Sequence, residues 1–407
     1  MNILFLMNNY PGFRGIEKVT FYLSKALEKL GVNVSILSMV TDAPELLTDP
    51  ALASSHLVYV PQPQISKTQE NLEFVRDFLN RNSFDYIIYQ DSYDPSDWIF
   101  QEIDYPWEQK LIVVEHSIPT YSLIFARALP HLIKSLFCPM LQPLGYFAGV
   151  CLRPFLYLRH RRSCVRRHAR LLSLCRAYVL LSESYIPLLT RLCGAQGHVS
   201  KVHAIANPLT IAPPCQSRYA KKKQVLFVGA FTRQKGIDHL LNIWKIFCSK
   251  GNPGWQLVLV GRGPQEKHIR ERIAAEHIPN IHLQGVTPDV ETLYEESAIL
   301  MMTSLFEGFP LVLTEAMSRG CVPMAFASFS SVHDIIDDGI NGVLIPPFQE
   351  TTYAHALHRM VHDSEMRERL SVAAMNKAQT FEVEAISREW LALFHALRDA
   401  DHSTASV

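Results

Sequence analysis

Short apolar runs alternate with segments of helical period along almost the whole chain, and that rhythm leaves few folds open. Strands buried on both faces read as near-continuous hydrophobic stretches, and the helical segments between them are the crossovers that parallel strands require. In the first half the strand candidates are Asn2 to Met7, Asn33 to Ser38, Leu57 to Val60, Asp85 to Tyr89, Leu111 to Glu115, Tyr178 to Leu181 and Lys201 to Ile205. In the second half they are Val225 to Val228, Leu257 to Val260, Ile281 to Leu283, Ile299 to Thr303, Pro323 to Ala327 and Val343 to Ile345. Each half reads as a doubly wound α/β sheet. The length of 407 residues agrees, because about 150 residues per domain leaves room for two or three domains. Residues 207–223 have no clear period, contain Pro208, Pro213 and Pro214 and end in Lys221 to Lys223, the composition of a linker. The expected organisation is an N-terminal domain over 1–206, this linker, and a C-terminal domain over 224–380. A closing helix in 381–407, apolar at Ile386, Trp390, Leu393, Phe394 and Leu397, is expected to pack back toward the N-terminal domain.

Charge and cysteine content exclude several function classes. Lys plus Arg and Asp plus Glu both number 39, so no global field draws the chain to nucleic acid, and no nucleic-acid partner is expected. The eight cysteines form no C-x-x-C pair, which fits reduced thiols and gives no metal ligands. Met1 to Met7 is too short an apolar run for a signal peptide and reads as a first strand; with the reduced thiols, a cytoplasmic location is the expectation. One segment departs from the rhythm. From Ser117 to Ser182 there is no Asp or Glu, while Arg127, Lys134, Arg153, Arg159, Arg161, Arg162, Arg166, Arg167, Arg170 and Arg176 all occur. Within it, Ser135 to Leu152 is uncharged and close to bilayer length, but Pro139, Gln142, Pro143 and Gly145 interrupt it. The expectation is a basic and apolar insert at about 120–170 that meets an anionic membrane surface through Arg153 to Arg176. Helical packing inside the domain, with the arginines solvated, remains the alternative.

The stretch from Ser304 to Pro323, SLFEGFPLVLTEAMSRGCVP, carries the most chemistry. A helix starting at Pro310, a residue suited to the first helical position, would turn the backbone N–H groups of Leu311, Val312 and Leu313 toward the end of the strand Ile299 to Thr303. Such N–H groups hold an anion without a metal. Glu307 then lies in the loop and Glu315 more than a turn into the helix, so the two carboxylates can grip different parts of one elongated ligand. Vicinal hydroxyls, as on a ribose or hexose, donate hydrogen bonds in pairs to such groups. An ordinary acidic loop and helix start has the same spacing. Lys235, in the turn after Val225 to Val228, puts a point charge where a doubly wound sheet binds ligands, with Arg233 close by. His116 follows the strand Leu111 to Glu115 and projects from its C-terminal end. Gly15, ahead of a helix beginning near Glu17, lets backbone approach a phosphate or an acceptor.

EGFPLVLTEAMSRGCVP closely resembles the Glu-x7-Glu signature of retaining family-4 glycosyltransferases, which have the GT-B architecture of two facing Rossmann-like domains around a cleft. The resemblance extends through RGIEKVTFYLSKALEKLGVNVSIL (Arg14 to Leu37), VVEHS (Val113 to Ser117), LLSESY (Leu180 to Tyr185), VLFVGAFTRQKGIDHLL (Val225 to Leu241), LVLVGRGP (Leu257 to Pro264) and DDGINGVLI (Asp337 to Ile345). It implies transfer of a hexose or N-acetylhexosamine from a nucleoside-diphosphate sugar, a UDP-sugar above all, to a lipid-linked or glycan acceptor in surface polysaccharide biosynthesis. Neither a cofactor nor a divalent metal is implied, and the place of action is the cytoplasmic face of the membrane. Residue by residue, the resemblance assigns Glu307, His116 and Lys235 to catalysis. It assigns Glu315, Arg233, Gly308, Phe309, Pro310, Leu311, Val312, Gly229, Gly261 and Gly285 to the donor, and Gly15 and Glu17 to an acceptor or phosphate loop. The chain departs from the family at Ala230, where an Arg is usual, at Arg14, where a first glycine is usual, and at Arg262 in the G-x-G-P turn. Other readings of the same fold are a sugar-nucleotide epimerase or hydrolase and an inactive membrane-binding scaffold. A nicotinamide dehydrogenase is disfavoured, because no G-x-G-x-x-G follows either first strand.

Overall fold

A computed structural model of the protein describes residues 1–12, 14–40, 56–63, 67–90, 98–121, 123, 142–194, 199–211, 221–251 and 254–404. The chain divides into one unit of Met1–Glu17, Leu27–Ile205 and Phe394–Val407, and another of Lys18–Ala26 and Ala206–Leu393.

The first unit holds strands β1 (Asn2–Asn9), β2 (Asn33–Val40), β3 (His56–Tyr59), β4 (Tyr86–Tyr89), β5 (Leu111–Glu115), β6 (Ala177–Leu180) and β7 (Val202–Ala204). They form a seven-stranded sheet in the order β3-β2-β1-β4-β5-β6-β7. The second unit holds β8 (Lys222–Val228), β9 (Gln256–Val260), β10 (Ile281–Gly285), β11 (Ser297–Met302), β12 (Val322–Phe326) and β13 (Val343–Ile345). Its six-stranded sheet has the order β10-β9-β8-β11-β12-β13. Every pairing is parallel, and each apolar run identified in the sequence is one of these strands. The two domains are therefore Rossmann-like, each with its strand order reversing beside its first strand: between β1 and β4, and between β8 and β11. Ligands of such sheets bind outside the carboxyl ends of the strands at that reversal.

Two features of the sequence reading change. Lys222 and Lys223 do not close a linker; they open β8, and Lys221 directly precedes it. Lys221 Nζ donates to the carbonyls of Tyr294 (3.0 Å) and Arg319 (2.7 Å), and Lys222 pairs with Glu296 at 2.5 Å. Long basic side chains can run along a sheet margin while their heads find polar partners, so a lysine run at a strand start is no sign of a loop. The beginning of the same stretch is packed as well: Leu209, Thr210 and Ile211 are buried, and the Leu209 N–H donates to the Phe381 carbonyl at 2.6 Å. Residues 212–220, with Pro213 and Pro214, lie outside the described residues.

Most of the basic insert is a helix, Gln142–Leu174, which runs past the expected end at 170. Arg127, Lys134 and the apolar stretch up to 141 lie outside the described residues. Cys164, His168, Leu171, Leu172 and Cys175 are buried, marking the inward side at helical spacing. The opposite side carries Phe155, 67% exposed, and Leu158, 51% exposed, beside the exposed Arg159, Arg162 and Arg166. Among the described residues no helix is long and apolar enough to cross a membrane. The last helix, Val383–Thr404, buries Ile386, Trp390 and Phe394. Its end belongs to the first unit, where the Phe394 ring stacks on Tyr86 at 5.5 Å and the Leu397 carbonyl accepts from Arg176 at 3.0 Å.

Candidate functional site

In the second unit the loops leaving β8 and β11 meet at the strand reversal and are hydrogen-bonded to each other. The Leu305 N–H donates to the Gln234 carbonyl (2.7 Å), Gln234 Nε2 to the Phe306 carbonyl (3.1 Å), and Thr303 Oγ1 to the Lys235 carbonyl (3.0 Å). Gly236 permits this approach. It has φ +63°, and a Cβ there would lie 2.0 Å from the Thr303 carbonyl oxygen. The result is an ion pair between Lys235 Nζ and Glu307 Oε1 at 2.7 Å, with Glu307 only 7% exposed. Beneath it, Lys235, Ser304, Val312, Phe227 and Met302 enclose a space of about 10 Å³, about the volume one water needs. The Ser304 hydroxyl, buried there, has no partner among the described residues. Gly236→Ala is expected to cost about 2–3 kcal/mol through strain and steric clash, seen as a lower thermal midpoint. An unchanged midpoint would refute the close approach.

The helix Leu311–Ser318 starts beside Pro310, as expected. Pro310 is its N-cap, held outside by an extended ψ of 98°, and the Leu313 N–H donates to the Pro310 carbonyl at 3.0 Å. Only the N–H groups of Leu311 and Val312 are thus left at the helix head for an anion. The two carboxylates hold different protein partners. Glu315 is buried, accepting from Thr210 Oγ1 at 2.7 Å and from the Tyr294 hydroxyl at 2.9 Å. Burial first, and then the Glu315 charge, holds the Tyr294 hydroxyl well above the usual phenol range. The buried Phe309 packs its ring 5.6 Å from Phe381, and Gly308 is half-buried.

Gly229, Gly261 and Gly285 join the ends of β8, β9 and β10: the Gly229 N–H donates to Val260 (3.0 Å) and the Gly261 N–H to Gly285 (2.8 Å). At Gly261, φ +138°, a Cβ would sit 2.0 Å from the Gly229 carbonyl oxygen, so the glycine is required by backbone packing. Arg233 is exposed on the turn Arg233–Lys235.

In the first unit His116 stands at the C-terminal end of β5, with Nε2 2.5 Å from Gln90 Oε1 at the end of β4. Burial pushes its pKa down to about 3, so the ring is neutral at physiological pH. With Nε2–H donated to Gln90, Nδ1 of the neutral ring carries no hydrogen and can only accept. Gly15 begins the helix Gly15–Lys29. Glu17, in the first turn, is buried and accepts from Asn9 Nδ2 at 3.3 Å, so its carboxylate holds the loop that follows β1. Sequence reasoning missed Thr210, Tyr294, Gln234 and Gln90, whose roles come from distant partners. Gly236 was open to discovery, as a glycine closing a basic turn.

Comparison with known proteins agrees with this picture. Residues 214–377 match the family described as glycosyl transferases group 1. An uncharacterized glycosyltransferase of Haemophilus influenzae is 29% identical over 192 residues, 47% of this chain and 54% of the relative. The GalNAc-alpha-(1->4)-GalNAc-alpha-(1->3)-diNAcBac-PP-undecaprenol alpha-1,4-N-acetyl-D-galactosaminyltransferase of Campylobacter jejuni is 24% identical over 204 residues, 50% of this chain and 56% of the relative. The chain thus spans about half the length of the curated relatives it matches. A mutant of S. aureus TarM, in complex with fondaparinux, alpha-GlcNAc-glycerol and UDP, superposes with a TM-score of 0.72 at 13% identity, covering 97% of this chain and all of that one.

Proposed function

We propose, from the match of residues 214–377 to the glycosyl transferases group 1 family, that the protein is a retaining, metal-independent glycosyltransferase. It moves a hexose or N-acetylhexosamine from a UDP-sugar to a lipid-linked or glycan acceptor in surface polysaccharide biosynthesis. The observation that carries this reading is the Lys235–Glu307 pair at the β8/β11 reversal. An ammonium has three donors, so Lys235 can keep Glu307 oriented and still reach a departing diphosphate. The N–H groups of Leu311 and Val312, at the positive end of their helix, add to that charge in place of a metal. Glu307 accepts from hydroxyls of the transferred sugar, and the neutral His116 accepts through Nδ1 from a substrate hydroxyl. In a front-face transfer the departing phosphate oxygen itself receives the acceptor proton, which requires no separate general base. The UDP bound to TarM and the undecaprenol-linked substrate in the Campylobacter enzyme's name support the donor and acceptor classes. The exposed arginine, Phe155 and Leu158 side of the helix Gln142–Leu174 is the surface that meets an anionic cytoplasmic leaflet.

The test is UDP release from UDP-glucose and UDP-N-acetylglucosamine, in chelator, with and without a bacterial lipid extract. Release accelerated by the extract is expected, and Glu307→Gln should slow it roughly 100-fold. Release that no acceptor accelerates would replace this reading with a hydrolase or epimerase.

A further inference from the structure

Behind His116 runs a chain of buried polar groups that the proposed chemistry leaves unused. Glu115, the last residue of β5, has a fully buried side chain. Its Oε1 accepts from the Ser117 N–H (3.2 Å) and hydroxyl (3.0 Å), and its Oε2 from the hydroxyl of Tyr178 on β6 (3.1 Å). His168, equally buried on the helix Gln142–Leu174, places Nδ1 2.9 Å from the Tyr178 oxygen and Nε2 2.9 Å from the Pro119 carbonyl oxygen. The same carbonyl accepts from Cys164 Sγ at 3.2 Å. Both ends of the loop Glu115 to Pro119 are therefore tied down, with His116 between them.

Counting protons shows that His168 and Glu115 share one proton between them. A carbonyl oxygen only accepts, so Nε2 carries a hydrogen. Tyr178 has one hydroxyl proton and gives it to Glu115, so its oxygen accepts from His168 and Nδ1 carries a hydrogen too. A ring protonated at both nitrogens is an imidazolium. A neutral ring would require the second proton of this chain to sit on Glu115 instead, with Tyr178 turned to donate to Nδ1; the two hydrogen bonds that Glu115 Oε1 accepts from Ser117 favour the carboxylate and so the proton on His168. The balancing charge is Glu115, whose Oε2 is 3.9 Å from Nδ1. The titratable groups facing His168 are Glu115 from β5, Tyr178 from β6 and Cys164 from its own helix. Burial opposes the charge, but Cys164, Glu115 and the Pro119 carbonyl outweigh it, and the His168 pKa is raised.

We propose that His168 is a positioning residue for His116: as an imidazolium it donates to Tyr178 and to the Pro119 carbonyl, so that the basic helix and Glu115 together fix the loop that carries His116. Its consequence for turnover rests on the substrate role given to His116 above; the proton arrangement does not. The test is a ¹⁵N-histidine NMR spectrum of the full chain near neutral pH, with signals assigned by their loss in His116→Gln and His168→Gln. His168 is expected to show two protonated ring nitrogens, and His116 one, at Nε2. Tyr178→Phe should remove a ring proton from His168 and shift the His116 signals while the fold is retained. A single ring proton on His168 in the unmodified protein would overturn the proposal without any variant. So would His116 signals that stay in place in both Tyr178→Phe and His168→Gln. Shifted His116 signals in a protein that turns over no UDP-sugar would sustain the positioning role while removing the glycosyltransferase reading.

Discussion

Glu315→Ala is expected to lower the thermal midpoint of the second unit by roughly 6–20 °C, a loss of about 3–5 kcal/mol. Two hydrogen bonds to a buried carboxylate disappear at once, each worth about 1.5–3 kcal/mol when the acceptor is charged. Their donors, Thr210 Oγ1 and the Tyr294 hydroxyl, are both buried and would be left in a dry environment. Thr210 belongs to the segment by which the chain enters this unit, so the carboxylate also fastens that entry to the helix Leu311–Ser318. Glu307→Ala should cost much less, about 1 kcal/mol, because the freed Lys235 ammonium is 21% exposed and can turn toward water. Calorimetry of the two variants checks the contrast. A Glu315→Ala midpoint within about 2 °C of wild type would show that the carboxylate is not structural and would return it to the ligand. A practical consequence follows for nucleotide binding. Affinity lost in Glu315→Ala mixes unfolding with recognition, whereas Glu307→Gln, with one oxygen acceptor retained, reports recognition more directly.

Glu315 also marks the boundary of what the residues reveal in order. The strands were legible because an apolar run bounded by turn residues is a local signal, and β5 and β13 fall at their expected residues. The parallel order followed from the helices between them, and with it the position of Lys235 and Glu307 beyond the ends of β8 and β11. What spacing could not supply is the partner of each carboxylate. The eight-residue offset of Glu307 and Glu315 suggested a shared ligand but gave no hint of Thr210, which is 105 residues from Glu315 and reaches it only through tertiary folding. Pro310 fits either the cap or the first helical residue, and only its ψ decides. The lysines opening β8 misled for a similar reason: solvated and sheet-margin lysines are identical until Tyr294 and Arg319 come into view. His168 gave no local signal beyond its place, with Cys164 and Leu171, on the buried side of a basic helix.

That helix carries the second large effect. Replacing Arg159, Arg162 and Arg166 together by glutamate is expected to abolish binding of the full chain to vesicles containing anionic lipid, leaving its midpoint unchanged. At 100° per residue these arginines share one side with Phe155 and Leu158 and line a shallow groove with them. Each basic side chain near an anionic surface contributes about 1 kcal/mol. Neutralising the three should weaken binding on the order of 100-fold, and reversing their sign adds repulsion of similar size. Phe155 and Leu158 have apolar surface to insert at the headgroup boundary, so Phe155→Ser should weaken binding even in high salt, where the arginine contribution is screened. The sequence alone set Arg161, Arg162, Arg166 and Arg167 together within the basic surface Arg153 to Arg176, with no side of a helix assigned to any of them. In the helix, Arg161 lies about 100° from Arg162, and two guanidinium nitrogens of Arg167 are buried. Arg161→Glu should therefore change vesicle binding much less than Arg162→Glu. Equal effects would mean a diffuse attraction to negative charge, and full binding by the triple variant would remove the docking surface altogether.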